Sequence, residues 1–448
     1  MRDVLPPRVR AVLRHPAVGV FFVYLLGIGL RVDYTLYRHR PESYVSSDMS
    51  LYVSLANRLR SSTEPLQPWD VTHPLGYPVL LSFLTGHGGS LARATHFQLV
   101  VSCLLPLALG LLGTAAFAWR TGLAAVAVAS VYFPFIEYGA LVLSEIHFIF
   151  WLTLAFAAFL AAIEARRRGV SLLFAAAGGF ALSLATALKS VALPAAVAFF
   201  LCEGLARLLD RRPGRRSWPA RLGAWLAGGA VAALAALPVL AKLARVCTRA
   251  NRGRFCVTGN KVGSDFLLGH YGRIADMAWA PENGVWFQFG SPSAYLHHYG
   301  TTAHVPFPMT DNAANSAEAW RWIHAHPLDA ITLSLEHVYD TFFGAAMWPT
   351  FNDAFWPYAY LAQYAFVLFL FIPVALACAA ILRKRGLRAF LQSRTALLLA
   401  PVGALAFTVA VATGEVRYRV PFDIFFIAIA CAFAAGDLKP RDLSSPTP

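Results

Sequence analysis

Residues 142–163 read VLSEIHFIFWLTLAFAAFLAAI. Past Glu145 and His147 the run is apolar except for Thr153. Crossing a hydrocarbon core of ~30 Å takes about 20 helical residues, so this run is long enough to do it. In lipid every backbone amide has to be paired inside the structure, which makes a lone run of this kind a helix. A membrane barrel would show short alternating segments instead. The same reading extends along the chain to 17–36, 91–118, 121–137, 170–187, 190–208, 221–241, 357–382, 395–412 and 417–435, giving ten spans in all. Residues 74–86 are also apolar, but they are short and interrupted by Pro and Gly, and they read as a re-entrant or interfacial piece.

Composition agrees. Hydrophobic residues make up 57% of the 448, charged residues only 14%, and the mean hydropathy is +0.54. The expected architecture is an all-α polytopic bundle forming one membrane domain over 1–448, with no soluble domain after the last span. The basic N-terminus and its apolar stretch have the outline of a signal peptide. The next residues, Arg31-Val32-Asp33-Tyr34, offer no small-residue cleavage site, so an uncleaved first span is expected.

Lysine and arginine retained in the cytoplasm set the orientation of such a bundle. With the N-terminus inside, 21 of the 38 basic residues and six of the 24 acids fall in cytoplasmic segments, for a net charge of +15. The remainder carry −1. The basic excess is therefore a topology signal, and no nucleic-acid partner is implied. Both termini are expected in the cytoplasm, with the working face periplasmic, on a bacterial inner membrane.

This map leaves two larger outer loops, about 37–73 and about 242–356. The second holds Trp279, Trp286, Phe287, Phe289, Tyr295, Tyr299, Trp320, Trp322 and Trp348, too many aromatics for a disordered linker. Asn315 and Glu318 have capping-box spacing, predicting a helix over 316–325. After Pro327, the residues Leu328, Ile331, Leu335, Val338 and Phe342 repeat at three and four, as an amphipathic helix lying on the membrane interface would. Leu51, Tyr52, Leu55 and Leu59 mark a similar helix over 49–60. Four of the six cysteines lie in spans; Cys247 and Cys256 lie close together in the long outer loop, where a disulfide is expected.

Ionisable residues in or beside spans are costly and are the first functional suspects. They gather at the outer ends: Asp48, Glu137, Glu145, Lys189, Glu415, Arg417 and Arg419. A permeation path would more often place charge at the midplane. Each residue also has a plain structural reading. Asp48, after Ser46 and Ser47, is a helix N-cap or a general base. Glu145 complements a helix dipole or takes part in chemistry. Lys189 snorkels to the interface or binds a lipid phosphate. Arg417 and Arg419 run against the positive-inside trend and suit phosphate oxygens, although Arg419 and Asp423 are also spaced as a helical ion pair. His73, in His73-Pro74-Leu75-Gly76-Tyr77-Pro78, either donates to a phosphate or faces water. Among the thirteen histidines no zinc-protease spacing occurs. His297, His298 and His304 cluster only loosely, and no metal site is expected from them.

The order of these features is more specific than any one of them. An acid comes after the first span, then a Pro-x-x-Tyr-Pro segment (Pro74 to Pro78), and a Ser144-Glu145 pair opens the fourth span. Lys189 and Pro194 come after the fifth. An aromatic loop leads to His326-Pro327, and Arg417-Tyr418-Arg419-Val420-Pro421 opens the last span. This resembles the GT-C membrane glycosyltransferases of the protein O-mannosyltransferase and lipid A aminoarabinose transferase superfamily, over roughly 17–435. The resemblance implies a GT-C-like bundle of about 10–12 spans and a sugar donor carried on a polyprenyl phosphate. Transfer would proceed with inversion, outside the cytoplasm, to a hydroxyl on a glycan, lipid or protein. Asp48 matches the family's first-loop acid and Glu145 its second. Lys189 stands where relatives often have Arg, and Arg417 and Arg419 match the terminal arginine motif. With His73 these three would bind the donor phosphate, and Tyr52, Tyr77 and Tyr418 would line the substrates. Many members have Asp-Glu where this chain has Asp48-Met49. No cofactor is required by the reading, and a divalent metal stays optional. Two other classes remain: a flippase or transporter of lipid-linked sugars, and a non-catalytic scaffold.

Overall fold

A computed structural model describes residues 15–61, 63, 65–86, 90–210, 218–272, 274–280, 284–289, 301–344 and 356–438. Among these, nine helices are long and apolar enough to cross a membrane, and a bent pair makes a tenth. In chain order the first elements are α1 (Pro16–Asp33), α2 (Ser47–Ser61), α3 (Gly76–Thr85), α4 (Ala92–Ala116), α5 (Trp119–Val131), α6 (Phe133–Gly139), α7 (Glu145–Glu164), α8 (Arg168–Leu188), α9 (Ala192–Leu209) and α10 (Trp218–Ala250). Then come α11 (Val262–Gly269), strands β1 (Ile274–Ala280), β2 (Gly284–Phe289) and β3 (Thr301–Val305), α12 (Asn312–Ala325), α13 (Pro327–Phe343), α14 (Trp356–Phe366), α15 (Ile372–Leu391), α16 (Arg394–Val411), α17 (Val416–Arg419) and α18 (Asp423–Ala435). All ten expected spans are helical. The 74–86 segment is the short apolar helix α3, and the span at 121–137 is the bent pair α5–α6, with 57° between its halves.

The bend has a cause in sequence. Continuing the helix would require the Pro134 nitrogen to donate to the Ser130 carbonyl four residues back, and proline has no N–H. The chain turns extended at Tyr132, leaving the last carbonyls of α5 without helical partners. Arg31, buried in the first span, supplies them. Its Nη1 donates to Ser130 O at 2.5 Å and to Gly27 O at 3.1 Å, its Nη2 to Ala129 O at 2.9 Å, and its Nε to Ser102 Oγ at 3.1 Å. A charge inside a span is thus accounted for as a cap. Gly27 lets the two helices meet there, since a Cβ on it would lie 2.5 Å from Ser130 O.

Helix α18 is at the centre. Every residue from Asp423 to Ala432 is buried, as expected for a helix that is apolar all round. Aromatic contacts tie it to its neighbours: Phe425 meets Phe156 of α7 at 5.0 Å, and Phe426 meets Phe366 of α14 at 5.2 Å. Helix α1, with Phe21, Phe22 and Leu26 exposed, and helix α10, with Leu234 and Leu237 exposed, lie at the lipid-facing periphery. Glycines allow close crossings, as small residues do in membrane bundles; a Cβ on Gly179 of α8 would meet Ala232 O of α10 at 2.0 Å.

The outer-loop expectations need three corrections. Helix α12 starts at Asn312, four residues before the capping-box estimate, because Asp311 accepts from Ala314 N and is the cap. Asn315 lies inside the helix, donating to Pro308 O and Asp311 O. In α2 the buried face is Met49, Tyr52, Leu55 and Ala56, while Leu51 is exposed. The third correction is a three-stranded antiparallel sheet, β1-β2-β3, in a region read only as ordered and aromatic. Its hairpin residues are few and its alternation short, so helix-seeking periodicity passes over it. Tyr295, His297, His298, Tyr299 and Trp348 lie outside the described residues. Helix α13 forms as the periodicity requires. Phe342 and Leu333 pack inward, while Leu328, Ile331 and Leu335 are left exposed as an apolar stripe. An interfacial helix would present that stripe to lipid.

Candidate functional site

Four residues far apart in sequence meet at one end of the bundle. Arg417, on the single turn α17 before the central span, reaches Glu145 at the start of α7 through Nε at 2.5 Å. Through Nη2 it reaches Asp48 at 3.0 Å. Lys189, the residue that ends α8, donates to the same Glu145 Oε1 at 2.9 Å. His73 Nε2 stands 3.8 Å from the other Asp48 oxygen.

Local sequence sets each position. Helix α2 starts at Ser47, so Asp48 is its second residue and not its cap. Its carboxylate turns to the site, which overturns the capping reading. Lys189 does not snorkel outward but turns in to Glu145; Gly76 lets α3 press against the chain just before it, where a Cβ would lie 2.4 Å from Ala187 O. Arg417 is placed by a turn in which Gly414 approaches His337 O so closely that a Cβ would lie 1.9 Å away.

The electrostatics come from burial plus neighbours. Burial raises the Asp48 carboxyl, but Arg417, His73 and Lys261 together outweigh it and hold the group at about 2. Burial and the ammonium of Lys261 push His73 down to about 3, so its ring is neutral at pH 7. Burial lowers the Lys189 ammonium despite the opposing pull of Glu145. Burial raises the neighbouring Glu415 carboxyl. The Glu145 side chain is fully buried, and its Oε2 has no hydrogen-bond partner among the described residues.

Tyr52 and Tyr77 pack edge to face at 5.3 Å, and Tyr52 meets the His73 ring at 6.0 Å. Tyr77 gives its hydroxyl to Gln98 at 2.9 Å. Arg419, although two residues from Arg417, is not brought to this cluster. Its Nε lies 3.0 Å from Asp423, its Nη1 donates to Gln363 Oε1 at 2.7 Å and to Phe342 O at 3.3 Å, and its guanidinium carbon stands 3.5 Å over the Phe366 ring. A spacing of two on one helical turn points the two arginines to different sides.

The sequence reading missed Lys261 and Asp265, 3.3 Å apart at the start of α11, with Lys261 within electrostatic reach of Asp48 and His73. Tyr418 lies within electrostatic reach of Lys261 and Asp265. The only hint in sequence was an i,i+4 Lys–Asp pair in a long loop, which is a common surface feature. Cys247 and Cys256 are bridged. Among the described residues, no group of three His, Cys, Asp or Glu side chains gathers in an arrangement that could hold a metal ion.

Neither a family model nor a curated protein sequence matches the chain. Solved structures do match. The archaeal oligosaccharyltransferase AglB from Archaeoglobus fulgidus, in complex with an inhibitory peptide and a dolichol-phosphate, aligns over 93% of this chain and 50% of its own at a TM-score of 0.50 and 13% identity. ArnT from Cupriavidus metallidurans in the apo state aligns over 94% and 78% at a TM-score of 0.42 and 12% identity. The chain spans about half the length of AglB. At such identities the likeness is one of fold alone: a polytopic helical bundle.

Proposed function

We propose that this protein is an inverting glycosyltransferase. It would move a sugar from a polyprenyl-phosphate carrier to a hydroxyl on a glycan, lipid or protein, at the outer face of a bacterial inner membrane. The observation that carries this is the convergence of Asp48, Glu145, Lys189 and Arg417 at one end of a membrane bundle, where a lipid-borne anion and a water-borne acceptor can both arrive. The AglB structure of matching fold, which holds a dolichol-phosphate, supports the donor class.

The acceptor oxygen attacks the anomeric carbon as its proton passes to Asp48. The bond from that carbon to the phosphate oxygen breaks on the opposite side, and the polyprenyl monophosphate leaves with the electron pair. Lys189 and Arg417 neutralise its growing charge, the electrostatic contribution expected to dominate such a step. Glu145 holds both cations in place until the phosphate arrives. A carboxylate held at about 2 is a weak base. As the incoming phosphate takes a share of Arg417, Asp48 loses its counter-charge and gains basicity, so the base is armed only when donor is bound.

The test presents a panel of polyprenyl-phosphate sugars to membranes containing the wild type or Asp48→Asn. Transfer by the wild type and its loss in the variant is the expected result. Undiminished transfer by the variant removes Asp48 as the base. Absence of transfer, accompanied by movement of lipid-linked sugar across the bilayer, would replace the enzyme by a transporter.

A further inference from the structure

Lys189 and Arg417 are both engaged within the protein. Each is bound to Glu145, and Arg417 also to Asp48. Two cations facing two carboxylates leave no net positive charge for a phosphate. Among the described residues a further cation stands at the site, on a different element. Residues 259–261 run beside residues 71–73: Asn260 N donates to Val71 O at 2.7 Å, and a Cβ on Gly259 would lie 3.2 Å from Thr72 O. This brings Lys261 within electrostatic reach of His73, whose ring faces Asp48.

What holds the 259–261 segment is the bridge just before it. The Cys247–Cys256 bridge ties the end of α10 to the chain after it and packs with Leu55 and Val71 of the first outer loop and with Leu75. Asn260 is further fixed by Asn251 and Asn312, at 2.7 Å in the first case. The Lys261–Asp265 pair is itself the loosest of the ion pairs at the site that involve a lysine or arginine. Its 3.3 Å separation exceeds the 2.5–3.0 Å of the others, and its side chains keep 28% and 35% exposure, against 0% for Glu145. Partial exposure lets water compete for such a pair, which it cannot do at Glu145.

We propose that Lys261 is a further donor-binding residue, the cation that swings from Asp265 to the carrier phosphate, and that the Cys247–Cys256 bridge is what positions it. The inference rests on the donor class proposed above. It adds a binding group from the long outer loop and makes donor affinity depend on the redox state of that loop.

The experiment measures binding of decaprenyl monophosphate, with neutral decaprenol as reference, to purified protein in detergent micelles. Wild type, Lys261→Met, Lys261→Arg, Cys247→Ser/Cys256→Ser and the combination of that pair with Lys261→Met are compared. Loss of one charge-assisted contact predicts about tenfold weaker phosphate binding for Lys261→Met, recovery in Lys261→Arg, and unchanged decaprenol binding. The double serine variant should weaken phosphate binding similarly, and adding Lys261→Met to it should cost little more. If the serine variants do not fold, the two Lys261 substitutions decide alone. Equal phosphate affinity in wild type and Lys261→Met overturns the inference while leaving the donor reading intact. No preference of the wild type for phosphate over decaprenol overturns the donor reading itself.

Discussion

Arg417 and Glu145 are 272 positions apart in sequence and share a 2.5 Å contact inside the bundle. The same guanidinium holds Asp48 across a separation of 369 positions. One residue thus ties the last span to the first outer loop and to the fourth span. On the proposed reading it gives the site two states, with Arg417 on the carboxylates or on a donor phosphate.

If that exchange arms the base, Asp48→Asn separates chemistry from binding. Removing a general base costs about 10²–10⁴-fold in rate. Turnover should fall by that order while polyprenyl monophosphate affinity holds or improves, because Arg417 loses a competitor. Rate and affinity measured on the same preparation check it. A variant that binds the lipid phosphate more weakly and keeps its turnover would reverse the assignment.

The pH profile carries a second signature. Asp48 is depressed from the usual carboxylate range to about 2, so in the free enzyme it stays ionised at every pH where a membrane protein can be assayed. kcat/KM, which reports groups of the free enzyme, should therefore show no acid limb from Asp48 above about pH 3. kcat, which reports the donor complex, should show one at higher pH, since the phosphate has taken up part of Arg417. His73 adds a stability term of the same sign. It is neutral in the fold and held at about 3, so the unfolded chain binds the extra proton between about pH 6.5 and 3 and stability falls as pH drops through that window. Rate profiles and denaturation midpoints between about pH 4.5 and 8 test both.

Glu145 behaves differently because it is wholly buried beneath two cations. Removing one member of a buried ion pair leaves the others uncompensated and costs about 3–5 kcal/mol. Glu145→Gln should lower the thermal midpoint markedly and disturb both Lys189 and Arg417, raising donor KM. A midpoint equal to wild type would mean that water reaches the pair.

The bundle was legible from sequence because lipid allows so few backbone solutions. Each apolar run gave a helix, and Pro134 even set the bend within one of them. Convergence was legible where a charge stood in or beside a span end, as for Asp48, Glu145, Lys189 and Arg417. It failed for Arg419, because the sequence shows that two arginines are near each other but not which way each points. It failed for Lys261, whose place depends on a disulfide and a backbone contact from Asn260 to Val71, long-range facts that local spacing does not contain.

Arg419 and Arg417 should accordingly part in experiment. Arg419 is 1% exposed, hydrogen-bonds to Gln363 and Phe342 and stacks on the Phe366 ring. Arg419→Met should lower the thermal midpoint, because Asp423 is left as a buried charge, with little change in donor affinity among molecules that remain folded. Arg417→Gln should do the opposite, costing donor affinity about tenfold or more. Ligand binding and thermal denaturation on the pair of variants distinguish them. An Arg419→Met protein with normal stability and lost donor binding would place Arg419 at the phosphate after all.

Gly414 tests whether the position of Arg417 is as critical as its charge. A Cβ there would lie 1.9 Å from the His337 carbonyl of α13, backbone that cannot swing aside as a side chain would. The clash must move either α13 or the turn that delivers Glu415 and Arg417. A displacement of ~1 Å at a reacting centre costs about 10²-fold. Gly414→Ala should therefore lose most of its turnover although no functional group has been removed. Gly403, in the span before it, has nothing within 4 Å of its Cβ position and serves as the control. Gly403→Ala should be neutral or slightly stabilising, as alanine is in a helix. Turnover and thermal midpoint for the two variants give the answer. If Gly414→Ala works as well as Gly403→Ala, the turn has slack and the distances from Arg417 to its two carboxylates do not limit the reaction.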